Sequence, residues 1–166
     1  TALFYYRSGT GYRKITQRLK YHSDFAIGQY FSAMLGNEMV SGGLFDDVDA
    51  VVPVPLHWTR RWSRGYNQAE VIAAGLAASL GAPMYRNMLS RRRRTNTQTK
   101  VSVERKARNV EGAFKVKHPR PNLHHVLVVD DVFTTGATLH ECFKALRKVY
   151  PPSVRISGAT LAAVGQ

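Results

Sequence analysis

The side chains best suited to chemistry lie between Val126 and Thr138. Val126 to Val129 is continuously apolar, a pattern typical of a strand buried on both faces of a parallel sheet. Asp130 and Asp131 follow where that strand is predicted to end. A loop of small residues then opens a helix, and this loop consists of Thr134, Thr135, Gly136, Ala137 and Thr138. The order predicts a site at the carboxyl end of a strand.

The loop and the carboxylates suit different parts of one ligand. The first turn of a helix presents unpaired backbone N–H groups and a positive dipole end, which suit a phosphate. Gly136 lets the backbone approach closely, and the threonine hydroxyls can donate to the same oxygens. Adjacent carboxylates repel a phosphate, but they accept hydrogen bonds from neighbouring hydroxyls or help to hold a divalent cation. The stretch therefore predicts a ribose 5-phosphate site.

The helix after the loop is predicted to start with a capping box formed by Thr138 and Glu141. Its apolar face includes Cys142, the one cysteine of the chain, which we interpret as a small buried hydrophobe rather than a nucleophile. A single cysteine allows no disulfide within the chain, which fits a reducing cytoplasm. No apolar run approaches membrane-spanning length, so we predict a cytoplasmic protein without a membrane span.

The acidic pair is open to three other interpretations. They are an acidic strand end that is merely solvated, a Walker B strand, and the acid cluster of a receiver domain. The chain contains no Gly-x-x-x-x-Gly-Lys-Ser/Thr segment, which removes most support for the Walker interpretation. Receiver acids are expected near the first strand rather than this close to the carboxyl terminus.

The run from Val126 to Thr138 resembles the phosphoribosyl pyrophosphate (PRPP) motif of type I phosphoribosyltransferases, with an apolar strand, two acids and a Thr-Thr-Gly-x-Thr loop. The resemblance implies that the loop binds the 5-phosphate of PRPP. It also implies that Asp130 and Asp131 are the catalytic acids, which bind the ribose hydroxyls. The same pair would hold Mg²⁺, directly or indirectly.

Length and net charge limit the number of domains and the kind of partner that the chain can have. Its 166 residues are enough for one well-cored domain. The formal charge of +13 implies an anionic partner without choosing between nucleic acid and a polyphosphorylated metabolite. The chain starts with Thr1 rather than Met, so we expect it to be a fragment of something longer.

Strands and helices alternate in the predicted order, which favours right-handed crossovers and a mostly parallel sheet. Strands are predicted at Leu3 to Tyr6, Val48 to Pro55, Met84 to Leu89 (weak), Val110 to Val116 (an edge strand or hairpin arm) and Val154 to Val164, besides the central one. Helices are predicted at Gly11 to Tyr21, from a cap at Ser23 or Asp24 to Leu35, at Tyr66 to Leu80 before Gly81, and at Val103 to Arg108.

Two basic segments could meet a pyrophosphate. Arg60, Arg61 and Arg64 follow a predicted strand, at the end where an α/β sheet builds its site. The alternative for them is an exposed basic loop with Trp58 and Trp62 packed beneath. The second segment, from Arg91 to Thr99, is polar and aperiodic, and it is either a mobile catalytic loop or a disordered basic tract.

Nearly the whole chain resembles the competence protein F (ComF) family of this superfamily. The matching segments are Leu19 to Tyr21, Val52 to Leu56, Arg64 to Ala69, Arg94-Thr95 with Gln98, Glu104-Arg105 with Asn109-Val110, Gly112 to Phe114, and Asp130 to Leu139. The resemblance implies an α/β type I phosphoribosyltransferase core, with a mostly parallel five-stranded sheet flanked by helices. It implies one domain over 1–166, with 1–45 as a small N-terminal or hood portion and 46–166 as the core.

The same resemblance assigns roles outside the PRPP motif. The pyrophosphate-binding residues would be Leu56, His57, Arg60, Arg61 and Arg64. The flexible loop that closes over PRPP would contain Arg92, Arg93, Arg94, Thr95 and Gln98. Members usually begin with a four-cysteine zinc segment that this chain lacks, either through trimming or by nature. We interpret His118, His124 and His125 as ordinary loop histidines rather than replacement ligands.

The leading hypothesis is an enzyme that uses PRPP and Mg²⁺ to transfer ribose 5-phosphate to an unidentified base or amine, with release of pyrophosphate. A second hypothesis is a PRPP or nucleotide sensor that binds without turnover. A third is a nucleic-acid-binding accessory of DNA uptake, a process to which the family is tied in some bacteria. That accessory would use Arg91 to Arg94 with aromatic stacking and would have DNA or the competence machinery as partner.

Overall fold

The structure, a computed structural model, describes residues 1–6, 25–56, 65–91 and 110–164. The strands are β1 Ala2–Tyr6, β2 Ala50–Pro53, β3 Leu89–Arg91, β4 Phe114–Val116, β5 His125–Phe133 and β6 Arg155–Val164. The helices are α1 Phe25–Ser41, α2 Gln68–Leu80 and α3 Ala137–Arg147. The helices predicted over 11–21 and 103–108, and the caps Ser23 and Asp24, lie outside the described residues.

The central sheet is parallel, in the strand order β1-β6-β5-β2. This confirms the prediction of an α/β fold with a mostly parallel sheet. Beyond β2, Val51 donates its N–H to Pro83 O at 2.9 Å and accepts from Tyr85 N–H at 2.9 Å. Met84 thereby forms one parallel bridge with Val51. Among the described residues the fifth strand that the resemblance implied is reduced to this bridge, because Pro83 has no N–H to extend it.

Each face of the sheet is covered by different elements. The alternation along β5 sends Leu127 and Val129 to the side of α1 and α2. Val126 and Val128 face the other side, towards α3 and the antiparallel pair of strands β3 and β4. Cys142 of α3 is fully buried there, and burial raises the pKa of its thiol well above the usual range. This position fits the interpretation of Cys142 as a core residue.

The N-terminal part of the chain is packed onto this core. β1 pairs with β6 from Ala2 opposite Thr160 to Tyr6 opposite Val164. α1 packs against α2, and it extends to Ser41, beyond its predicted end at Leu35. In the described ranges, no helix has both the length and the hydropathy needed to cross a bilayer.

A buried histidine joins segments at the amino end of the sheet. His125 is the first residue of β5, and its Nδ1 lies 2.8 Å from Asp47 Oδ1 while its Nε2 lies 2.8 Å from Ser157 Oγ. The hydrogen bond to His125 lowers the pKa of Asp47 below its usual value. The interpretation of His125 as a loop histidine was therefore wrong, because its partners are distant in sequence. His118 and His124 are exposed.

Candidate functional site

The candidate site lies where the carboxyl ends of the parallel strands meet. Four strands end at this edge of the sheet: β1 at Tyr6, β2 at Pro53, β5 at Phe133 and β6 at Val164. Ligands of open α/β sheets bind in the crevice outside such an edge. The loop from Thr134 to Thr138 leaves β5 here, as its sequence predicted.

The two carboxylates lie within β5 rather than after it. β6 pairs with β5 as far as Phe133 opposite Ala163, whereas β2 ends opposite Val129. The prediction that the strand ends before Asp130 was therefore wrong, because β6 continues to supply a partner. Successive strand residues face opposite sides, so Asp130 lies on the α3 side and Asp131 on the α2 side. Both are half-buried, and Asp131 N–H donates to Asp130 Oδ1 at 2.9 Å.

The loop places the first turn of α3 at this edge, and no side chain caps that turn. α3 begins at Ala137 with Gly136 as its N-cap residue, and no side chain makes a capping hydrogen bond. The Ala137 N–H makes only a long contact of 3.5 Å with Thr135 Oγ1. The predicted capping box of Thr138 and Glu141 was therefore wrong, since the N-cap is Gly136, two residues before Thr138. Uncapped N–H groups at a helix start favour an anion.

Gly136 is the tightest point of the loop. Its φ of 74° lies in the left-handed region, which favours glycine. A Cβ at this position would lie 2.8 Å from Phe133 Cζ, closer than side chains approach. The Phe133 ring, which is 41% exposed, thus packs closely on Gly136 between β5 and α3.

Asn67, for which the sequence analysis predicted no role, joins the end of β2 to the start of α2. Its Nδ2 donates to Val54 O at 3.0 Å, and its Oδ1 accepts from Ala69 N–H at 3.1 Å. Asn67 is 3% exposed and serves as the N-cap of α2. Leu56 is half-buried at the end of this β2 segment. The other residues predicted to bind pyrophosphate lie outside the described residues, namely His57, Arg60, Arg61 and Arg64.

The residues predicted to form the flexible loop also lie outside the described residues, namely Arg92, Arg93, Arg94, Thr95 and Gln98.

The ranges 7–24, 57–64 and 92–109 contain 15 of the 24 Lys and Arg residues and two of the 11 Asp and Glu residues. The described ranges hold nine residues of each sign, so the formal charge of +13 belongs entirely to these three ranges. Two of them follow the carboxyl ends of β1 and β2, and the third follows Arg91. Arg91, like Asp130, lies close enough to Cys142 to act on the pKa of its thiol.

Glu141 anchors the chain where it returns after residue 109. Its Oε2 accepts from Gly112 N–H at 2.8 Å, and its Oε1 pairs with Lys144 Nζ at 2.9 Å. Burial alone raises the pKa of Glu141, but the Gly112 hydrogen bond and the Lys144 contact outweigh it, so the pKa lies below its ordinary value.

We expect Glu141→Gln to lower the free energy of unfolding by roughly 1 kcal/mol at pH 7, because Lys144 loses its anionic partner and the hydrogen bond from Gly112 N–H loses its charge assistance. A carboxylate with a lowered folded-state pKa stabilises the fold above its unfolded pKa. That stability is lost as the pH falls through the folded-state pKa. Urea unfolding between pH 7 and pH 3 should therefore show the two proteins converging at acid pH. Glu38→Gln, at an exposed position of α1, is the control, and a difference independent of pH would contradict this role.

The carboxylates at this edge could hold a metal ion only if a bound ligand supplied further oxygen atoms. Among the described residues, no group of three or more His, Cys, Asp and Glu side chains could hold a metal ion. Mg²⁺ is usually held through one or two carboxylates together with substrate phosphates and water. Asp130 and Asp131 therefore suit an Mg²⁺ ion carried mainly by a polyphosphate ligand.

Known proteins resemble the chain over much of its length. Residues 67–166 match the family described as phosphoribosyl transferase domain. The chain is 32% identical over 149 residues to competence protein F of Haemophilus influenzae, covering 87% of this chain and 65% of that protein. It is 37% identical over 108 residues to the DNA utilization protein YhgH of Salmonella typhi, covering 65% of this chain and 47% of that protein. It thus spans about half to two thirds of the length of these relatives.

Among solved structures, an orotate phosphoribosyltransferase from Aeropyrum pernix superposes with a TM-score of 0.47 at 20% identity. That superposition covers 89% of this chain and 64% of the other.

Proposed function

This chain belongs to the phosphoribosyl transferase domain family, in its competence protein F-like branch, and we propose that it binds PRPP at the carboxyl edge of the sheet. In the proposed reaction, ribose 5-phosphate passes from PRPP to a base or amine. The bond from ribose C1 to the pyrophosphate oxygen breaks, a bond from C1 to the acceptor nitrogen forms, and the acceptor loses a proton.

The observation that carries this proposal is the pairing of an uncapped helix start with half-buried carboxylates a few residues away. The N–H groups at the start of α3, with the hydroxyls of Thr134, Thr135 and Thr138, suit the dianionic 5-phosphate. Asp130 and Asp131, on the strand that feeds this loop, suit the ribose hydroxyls. A phosphate and a diol separated by one loop are the two ends of a ribose 5-phosphate.

The leaving group is the part of PRPP with the most negative charge. Its natural counterpart is the charge surplus of the ranges 7–24, 57–64 and 92–109, which include Arg60, Arg61, Arg64 and the residues from Arg92 to Arg94. Mg²⁺, when bound with PRPP, would neutralise the pyrophosphate oxygens. The carboxylates of Asp130 and Asp131 would stabilise the positive charge that develops at the ribose as the bond breaks.

The names of the relatives refer to competence and to DNA utilization. We therefore propose that this chain acts in DNA uptake and use. A sensor that binds PRPP without turnover would use the same groups. Release of pyrophosphate in the presence of candidate bases and amines separates the enzyme from the sensor, because only the enzyme produces it.

The test is calorimetric titration of PRPP with and without Mg²⁺. We expect Mg²⁺-dependent binding by the wild type and a loss of at least about a hundredfold in affinity for Asp130→Asn/Asp131→Asn, since two charge-assisted contacts are removed. The matched control is Glu38→Gln/Asp46→Asn, which removes the same charge from exposed positions in α1 and in the turn before β2. Failure of the wild type to bind millimolar PRPP would overturn the proposal.

A further inference from the structure

A cleft lies between α3 and the strands β6 and β1, behind the proposed phosphate loop. Its volume is about 980 Å³, within the range of small-molecule sites. We call it the α3–β6 cleft and define it by the residues Tyr5, Phe133, Leu139, Phe143, Gly158 and Thr160. The groups proposed above to bind PRPP do not explain it, because its depth extends along the sheet as far as Gly158.

The floor of the cleft carries a buried polar atom. Thr160 is 1% exposed, and its Oγ1 has no hydrogen-bond partner among the described residues. Buried hydroxyls in folded proteins are nearly always paired, and an orphan of this kind calls for a missing partner. Since Thr160 lines the cleft, a ligand in the cleft would be that partner.

The walls indicate the chemistry of the ligand. Rings of Tyr5, Phe133 and Phe143 and the side chain of Leu139 line the cleft. Glu141 also lines it, but both of its carboxylate oxygens are already engaged, with Gly112 N–H and with Lys144 Nζ. The other charged or titratable groups of the lining are exposed, namely Glu111, His140, Lys144 and the Thr1 ammonium, which donates to Gly158 O at 2.7 Å. A charged ligand placed against these walls would lose its hydration, and the counter-charges available to it are either engaged or exposed to solvent. A neutral molecule with a flat apolar face would lose little and would bury its surface against aromatic rings.

We propose that the α3–β6 cleft binds an uncharged aromatic molecule, up to about the size of a nucleoside, whose polar edge hydrogen-bonds to Thr160 Oγ1. The site is independent of the proposed PRPP chemistry, but the two are adjacent. Thr135 and Gly136 border both, so a ligand in the cleft would touch the back of the phosphate loop. Occupancy of the cleft would then change PRPP affinity, and PRPP would change occupancy by the same factor.

The test uses benzamide and benzoate, a matched pair of probes that differ in charge. Amide NMR shifts of the ¹⁵N-labelled protein are followed as each probe is added, without PRPP. We expect benzamide to shift the Gly158 and Thr160 amides with saturation, and benzoate to bind at least about tenfold more weakly, because its charge is not compensated.

The variant Thr160→Val removes the hydroxyl and keeps the shape of the side chain. Its affinity for benzamide should fall roughly threefold to tenfold, the worth of one hydrogen bond. Ser90→Ala is the matched control, since Ser90 Oγ is also buried without a described partner but lies in β3, away from the cleft. Phe143→Leu, which keeps an apolar side chain and removes a ring, should weaken benzamide binding and also cost some stability, because Phe143 packs against the core.

Three outcomes would overturn the proposal. One is the absence of benzamide binding by the wild type, including the case in which a second copy of the chain covers the cleft. Another is equal affinity for benzamide in Thr160→Val and the wild type. The third is an equal affinity for benzoate and benzamide, which would show that charge plays no part in selection.

Discussion

Gly136→Ala is expected to lower the affinity for PRPP by at least about a hundredfold and the free energy of unfolding by about 2 kcal/mol. The stability loss has two causes. Alanine is strained at a φ of 74°, and its Cβ would lie 2.8 Å from Phe133 Cζ. The larger loss in binding rests on the proposed function. If the loop shifts to relieve this contact, the first N–H groups of α3 no longer converge on the phosphate, and two lost charge-assisted hydrogen bonds account for the factor.

Gly81→Ala separates strain from function. Gly81 ends α2 with a φ of 64°, but a Cβ there would meet nothing within 4 Å. Its alanine variant should lose about 1 kcal/mol of stability and keep its PRPP affinity. Adding Phe133→Ala to Gly136→Ala should recover part of the lost binding, because it removes the ring that the new Cβ strikes. Calorimetric titration measures the PRPP affinity of all variants, and urea unfolding measures their stability. Full PRPP affinity in Gly136→Ala would contradict the proposed role of this loop in binding the phosphate.

His125→Phe is expected to cost about 3 kcal/mol of the free energy of unfolding, a large share of the stability of a domain. Phenylalanine keeps the buried ring but provides no hydrogen bond. Ser157 Oγ then loses a contact of 2.8 Å, and Asp47 loses the imidazole that holds its pKa low. The imidazole bridge between the turn before β2 and the start of β6 would be lost, while Arg155 would still contact Asp47 and donate to Leu44 O.

The neighbouring residue supplies the control for this second prediction. The His124 side chain is 85% exposed and contacts Asp49 at 3.2 Å, so His124→Ala should change stability by less than about 1 kcal/mol. Urea unfolding at pH 7 measures both variants. Since this network lies at the amino end of the sheet, His125→Phe should leave PRPP affinity unchanged below its unfolding transition. A stability equal to that of the wild type would mean that the buried network contributes nothing net.

Local patterns were sufficient for the elements around the loop. The apolar run of β5, the small-residue loop and the three- and four-residue spacing of apolar positions in α3 each lie within a few residues of one another. Such patterns report which face of a strand or helix is buried, because the periods of 2 and 3.6 residues are set by the backbone itself. They were also sufficient for the end of α2 at Gly81, where the left-handed conformation favours glycine.

The tertiary structure alone decided where the strand and the helix begin and end. β5 passes through Asp130 and Asp131 because β6, more than 20 residues later, continues to pair with it. Glu141 does not cap its own helix because Gly112 offers it an N–H from the preceding segment. His125 is buried because Asp47 and Ser157 meet it from two directions. In each case the deciding partner is remote in sequence, and no local pattern carries its position.

The sequence by itself thus determined the parallel α/β architecture, the order of the elements that the structure describes and the chemical types gathered between Val126 and Thr138. Only the tertiary structure decided that the two carboxylates face opposite sides of one strand, that the start of α3 is uncapped, and that a cleft with an orphan hydroxyl at Thr160 lies behind the loop. The physical reason is that side-chain types and periodicity are properties of neighbouring residues. Pairing, capping and cavities depend instead on which distant segments the folded chain brings into contact.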